Sequence, residues 1–350
     1  MRMQWLRALS IASMVLGAPA ALLAPATMPA SAQDKPVHLK IAHWVPPTHP
    51  MHKAMEDWGA SIQKATGGTV TYTVFPSQQL GKAFDHYDMV RDGIADVAFV
   101  NPGYQPGRFP IIDAVNLPLM MSKGAAGSQA ADAWYRKYAA QEMKDVKYCF
   151  NFVHDAGSFH SRTKKIVVPA DIRGMKVRPA DSTIAALVTQ LGGTNVQASA
   201  PEIRDVLEKG VADAATSPWG SMMLFGIDKV TKYHMNAPLY TSVLTWIVNK
   251  NAYQGMSPAQ QKAIDDHCTT DWALRAAGQW ADFERGGVAK LEAMPGHEVY
   301  TLTPEQLAEW RKAAEPVVKI WADAARKAGV DPDVALAELK ASVEKYHALE

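Results

Sequence analysis

Cysteine is nearly absent from this chain of 350 residues: Cys149 and Cys268 are the whole supply. That excludes a small disulfide-framed scaffold and a cysteine-rich metal module, although an oxidising compartment would allow one bridge, and the residues leave open whether it forms. An excess of one charge is also missing. Lys and Arg number 36 against 35 Asp and Glu, so no basic stripe is available for a phosphate backbone and no nucleic-acid partner is expected. Beyond the N-terminal region, no stretch approaches the ~20 continuous apolar residues of a spanning helix. Neither GxGxxG nor GxxxxGK[ST] occurs, which leaves nucleotide use without support. No short internal repeat, long linker or low-complexity tract is visible.

What is present begins with an export signal. Arg2 and Arg7 precede an apolar stretch from about Leu6 to Leu23, interrupted at Pro19, with Pro25 just beyond, and Ala30-Ser31-Ala32 presents the small residues that signal peptidase requires. Cleavage after Ala32 is expected. No stop-transfer pattern follows, and no nearby cysteine offers a lipid anchor. Loss of Arg2 and Arg7 leaves 34 basic against 35 acidic side chains. The remaining length, about 318 residues, exceeds what one core usually organises, so two lobes are expected.

Val37, Leu39 and Ile41 alternate with His38 and Lys40 as in a strand. Thr48-His49-Pro50 then supplies capping and first-turn residues for a helix carrying Met51, Met55, Trp58, Ile62 and Ala65, stopped at Gly67-Gly68. A second alternating run, Val70-Tyr72-Val74, completes a βαβ unit with parallel strands. The pattern continues with a helix from about Lys82 to Asp92 and a buried strand from Ala95 to Val100. A new block near Ser158 reads as strands at 174–178, Val196 and 211–215, with helices from Asp181 and over 201–209. Thr241 to Asn249 is β-rich and returns the chain to the first lobe. Long amphipathic helices follow Pro304. In open α/β sheets ligands collect beyond the carboxyl ends of strands, which directs attention to His43-Trp44, Asn101 to Tyr104, Arg178 to Ser182 and Ser217 to Trp219.

Two clusters invite an enzymatic reading. His49-x-x-His52 with Glu56 and Asp57 straddles a helix start, so its imidazoles need not share a face, and no further zinc-spaced ligands follow. His154-Asp155 with Ser158 and His160 lacks the glycine-flanked serine of a nucleophile elbow. Surface, capping or hinge histidines are the preferred reading, and no catalytic residue, metal or cofactor is assigned. An exported metal-dependent hydrolase is the rival of another class.

The segment Gly174-Met175-Lys176-Val177-Arg178 and the run from Glu202 through Asp213 resemble the solute receptors of tripartite ATP-independent periplasmic (TRAP) transporters, the dicarboxylate-receptor-like family. Phe75-Pro76-Ser77-Gln78-Gln79-Leu80-Gly81, Gly93-Ile94-Ala95-Asp96 and Asn116-Leu117-Pro118 support the match in order along most of the chain. The resemblance implies an α/β, two-lobed periplasmic binding protein, type II-like, with hinge strands, a long connecting helix and C-terminal helices. On this frame residues 1–32 are the signal peptide, 33–155 and about 244–285 form lobe I, and 156–243 and about 286–335 form lobe II. Residues 336–350 make a C-terminal helical tail. The implied role is a periplasmic, monomeric receptor, not an enzyme, that captures an organic carboxylate and passes it to the membrane permease subunits of a TRAP transporter.

In that family the arginine of the Gly-x-Lys-x-Arg strand pairs with the ligand carboxylate, which assigns Arg178 here. A guanidinium suits the task because its planar fork matches both carboxylate oxygens and stays charged. Where many members carry a second arginine, this chain has Gly157-Ser158-Phe159, and where an asparagine is usual it has Ser217, followed by Pro218 and Trp219. One cation with aromatic neighbours points to a monocarboxylate with an aromatic or apolar body. The expected ligand-binding residues are Arg178, Ser217, Trp219, Phe159, Asn101, Trp44, Tyr104 and His43, with Tyr240 and Trp246 ranked lower. A C4-dicarboxylate or 2-oxo acid is the alternative, with Lys82 or Arg108 as the second charge.

Overall fold

The computed structural model describes residues 34–349. The leader and its cleavage point after Ala32 fall outside them.

Val37–Ala42 forms a strand that buries Leu39 and Ile41, and it pairs in parallel with Val70–Phe75, Val37 opposite Val70. The crossover between them is the helix Pro50–Ala65. His49 caps it, Pro50 occupies its first turn, and Met51, Met55, Trp58 and Ile62 point inward. Gly67 and Gly68, at φ of 58° and 86°, end it in backbone conformations that only glycine adopts without strain.

The first sheet runs Val70–Phe75, Val37–Ala42, Val97–Val100, Val243–Val248, Lys147–Val153. Its first three strands are parallel. Val243–Val248, reached from far along the chain, is antiparallel to both of its neighbours. The second sheet runs Glu298–Thr301, Tyr233–Asn236, Ser158–Ser161, Ala214–Ser217, Lys176–Arg178, Thr194–Asn195. The chain crosses between sheets twice in short spans, from Val153 to Ser158 and from Asn236 to Val243. The two crossings touch through a bridge between Gly157 and Tyr240, where the Gly157 N–H donates to the Tyr240 carbonyl at 2.8 Å.

Several sequence expectations shift by a few residues: the strand placed at Val196 lies at Thr194–Asn195, and the helix placed from about Lys82 begins at His86 after a short turn. The strand expected at 174–178 is confined to Lys176–Arg178 because Gly174, at φ 77°, is still in the turn. The strand expected at 211–215 lies at Ala214–Ser217 instead. Asp213 closes the turn ahead of it, its carboxylate accepting the Lys176 N–H at 2.8 Å and its own N–H reaching the Lys176 carbonyl at 2.7 Å.

Cys149, on the edge strand Lys147–Val153, is disulfide-bonded to Cys268 between two helices of the first lobe, 119 residues away. A cross-link closing a loop of that length stabilises a fold by roughly 2–5 kcal/mol. The long helix Pro304–Lys327 contains Pro316, which removes one backbone hydrogen bond within it. Its Trp310 packs against Phe159, ring centroids 5.6 Å apart, on the outer side of the second sheet. The last helix, Pro332–Lys345, returns to the first lobe, where Trp134 donates to the Ala335 carbonyl and Ser342 to the Ala130 carbonyl. Among the described residues, no helix is long and apolar enough to cross a membrane.

Candidate functional site

Arg178 ends its strand with its side chain 2% exposed. Three of its five N–H groups are committed within the protein: Nε to the Ala198 carbonyl at 2.8 Å, Nη1 to the Thr216 carbonyl at 3.3 Å, and Nη2 to the Tyr104 hydroxyl at 3.2 Å. No carboxylate of the described residues lies within ion-pairing distance. Carbonyls and a hydroxyl orient the fork without neutralising it, and two N–H groups on its terminal nitrogens stay uncommitted.

Tyr104 comes from the opposite lobe, at the end of the short Pro102–Tyr104 turn. Its hydroxyl accepts from Arg178 and from the Ala200 N–H at 3.0 Å. With both lone pairs engaged, its own proton is left to donate. Asn101 holds the turn, accepting the Gly103 N–H at 2.9 Å, while its Nδ2 donates across the cleft to the Ala180 carbonyl at 3.2 Å.

These groups surround an inter-lobe cavity that offers about 70 Å³ to the centre of a water-sized sphere. A space of that order suits a compact single-ring molecule rather than an extended one. Trp44, Phe99, Tyr104 and Trp280 form aromatic wall from the first lobe, and Phe225, Ile203, Ser217 and Pro218 face them from the second. Trp44 meets Phe99 edge-on at 4.3 Å between centroids, a geometry that fixes both rings. Arg178 is the sole formally charged side chain in the lining.

The structure therefore gathers Arg178, Ser217, Asn101, Trp44 and Tyr104, and with them Tyr240. It does not bring Phe159, Trp219, His43 or Trp246 to the cavity. Phe159 is turned by strand alternation to the far face of its sheet, into the core beside Trp310. Trp219, the first residue of its helix, packs edge-on against His160 at 4.9 Å. His43 points away from its neighbour Trp44, stacks on Phe99 at 5.8 Å, and bonds His52 at 2.9 Å. Trp246 lies in the core with Trp58 and Phe150. Lys82 and Arg108 do not line the cavity either; Arg108 pairs with Asp88 at 2.9 Å and lies over the Tyr87 ring.

Two cavity histidines are buried rather than exposed, His49 as the cap of its helix and His154 in the crossing between Val153 and Ser158. His154 is locked by two bonds: its Nδ1–H donates to the Asp155 carbonyl at 2.7 Å, and its Nε2 accepts the Ser242 N–H at 2.9 Å. Burial pushes its pKa down to about 4, and that of His49 to about 3, so both are neutral at pH 7. Trp280 was not singled out from the sequence. On its helix it belongs to an ordinary buried stripe with Ala273, Ala276 and Ala277, and only the tertiary fold brings its ring, alone of that stripe, to the cleft. Among the described residues no group of His, Cys, Asp and Glu is arranged to hold a metal ion.

A family model described as bacterial extracellular solute-binding protein, family 7, matches residues 41–324. A TRAP solute-binding protein from a marine metagenome, described as specific for aromatic acid ligands, is 31% identical and covers 89% of this chain and 99% of its own, with a TM-score of 0.82. Its crystal structures contain metahydroxyphenylacetate and 3-hydroxybenzoate. A TRAP periplasmic protein from Bordetella bronchiseptica with bound (R)- and (S)-mandelate is 28% identical over 89% of this chain and 99% of its own, with a TM-score of 0.83. A solute-binding protein of Albidiferax ferrireducens is 26% identical over 60% of this chain, and the match spans 64% of that protein's length.

Proposed function

Because the chain belongs to family 7 of the bacterial extracellular solute-binding proteins, we propose that it is a periplasmic receptor for aromatic monocarboxylates that delivers them to a TRAP membrane permease. The observation that carries this reading is the composition of the cavity. One buried guanidinium without a carboxylate partner faces an enclosure otherwise made of aromatic rings, aliphatic side chains such as Ile203 and Leu244, small polar groups and neutral histidines. A buried charge left unpaired is costly, and a ligand carboxylate engaging the two uncommitted N–H groups of Arg178 and the Tyr104 hydroxyl offsets that cost. The ligand's ring then lies against Trp44, Phe99 and Trp280, gaining roughly 25 cal/mol per Å² of apolar area buried. The marine and Bordetella proteins, which bind aromatic acids of this size, support the assignment.

A dicarboxylate would bring a second anion into a wall with no second cation. Delivery would follow from closure: ligand contacts come from both lobes, so the ligand favours the closed form by its differential affinity. A thermal-shift screen of the mature protein against benzoate, mandelate, 2-oxo acids, uronates and C4-dicarboxylates tests the reading. A saturating aromatic monocarboxylate is expected to raise the midpoint by roughly 5 °C. Shifts with dicarboxylates or uronates, and none with aromatic acids, would overturn it.

A further inference from the structure

His49 performs two tasks that its ring nitrogens divide between them. Nδ1 accepts the Met51 N–H at 3.1 Å, capping the helix Pro50–Ala65. In a neutral imidazole that bond decides the tautomer, because the accepting nitrogen cannot carry the hydrogen, which therefore sits on Nε2. Nε2 has no hydrogen-bond partner among the described residues. The side chain is 2% exposed and forms part of the cavity wall. Around it stand the rings of Trp280, Phe283 and Phe225, with centroids 5.4, 6.0 and 6.4 Å away. None of these rings supplies an oxygen acceptor, so the N–H is left for an acceptor brought into the cavity.

We infer that His49 Nε2–H is a specificity-determining donor that selects aromatic monocarboxylates bearing an oxygen substituent, such as a ring hydroxyl, over the unsubstituted acid. The inference rests on the aromatic-acid reading above and adds to it a second polar contact, separate from the carboxylate anchor. Burial keeps the imidazole neutral at physiological pH, so the group it selects is a neutral acceptor rather than a second carboxylate. A site built to hydrogen-bond a hydroxyl discriminates against the analogue lacking it because its own donor is then left unpaired.

The test compares benzoate with 2-, 3- and 4-hydroxybenzoate by titration calorimetry on the wild type and on His49→Asn. Asparagine places its Oδ1 where His Nδ1 stands and is itself a favoured helix cap, so the fold is kept while the distal N–H is removed. One hydroxybenzoate isomer is expected to bind the wild type about fivefold to tenfold more tightly than benzoate, as one net hydrogen bond allows. In His49→Asn that ratio is expected to fall to within about twofold, since the contact is gone. A ratio unchanged in the variant, or benzoate binding with no isomer preferred by the wild type, would overturn the inference and leave the receptor reading standing. Failure of every aromatic acid to bind the wild type would remove both.

Discussion

The two walls of the cavity are built from different chemistry. The first lobe contributes rings held by other rings: Trp44 on Phe99, and Tyr104 against Phe84 at 4.8 Å. The second contributes a charge, held by the backbone carbonyls of Ala198 and Thr216. Neither wall alone makes a selective site. The ring wall would accept many apolar bodies, and a lone arginine would take almost any anion, so selectivity requires the two walls to face one cavity. The seam between the walls is itself polar. Tyr104 reaches Arg178 and Ala200, Asn101 reaches Ala180, and Ser182 donates to Asp113 at 3.1 Å. The two walls thus meet through specific polar bonds and not through apolar contact alone.

The strongest way to break the contrast is to remove the charged wall. Arg178→Ala is expected to weaken aromatic-acid binding by about 2–5 kcal/mol, since the ligand carboxylate would be buried without its partner. Calorimetry alongside a circular dichroism check of folding measures it. An affinity unchanged in a folded variant would discard the anchor. Removing only the hydroxyl that joins the walls should cost less. Tyr104→Phe keeps the ring but deprives Arg178 and the Ala200 N–H of an acceptor, and a loss of about 1–2 kcal/mol in affinity is expected.

A separate effect, on stability rather than affinity, concerns pH at the seam. Burial, with Asp181 and Glu142 nearby, raises the Asp113 carboxyl to about 8. The folded state therefore holds a proton there that the unfolded chain, with an ordinary carboxyl near 3.8, has released. The stabilisation is complete at acid pH below the unfolded value and is lost as pH rises through the folded one. Asp113→Asn, which mimics the protonated form, is expected to gain stability relative to wild type as pH increases from about 4 to about 8. Urea midpoints of the two proteins across that range check the slope, and parallel curves would show that Asp113 is not protonated in the fold.

How much of this was legible beforehand differs between the same two walls. The strand and turn positions carrying Arg178, Ser217, Asn101, Trp44 and Tyr104 were readable, because ligand sites follow strand ends and Arg178 stood within a recognisable motif. The first βαβ unit was readable too, from alternation, a cap and two glycines. Strands such as Lys147–Val153 and Ser158–Ser161 were not, since Lys147–Val153 is apolar over most of its length and Ser158–Ser161 is too short for alternation to stand out.

Sequence by itself therefore determined the α/β alternation, the helix boundaries set by caps and glycines, and the charged residue on which the proposed carboxylate binding rests. Those properties are local, fixed by backbone sterics and by the character of single side chains. Tertiary structure alone decided that Phe159 and Trp219 face away while Trp280 and His49 face in, and that Cys149 and Cys268 meet. Such outcomes depend on which face of an element its partners cover, and residues scores of positions apart settle that through packing.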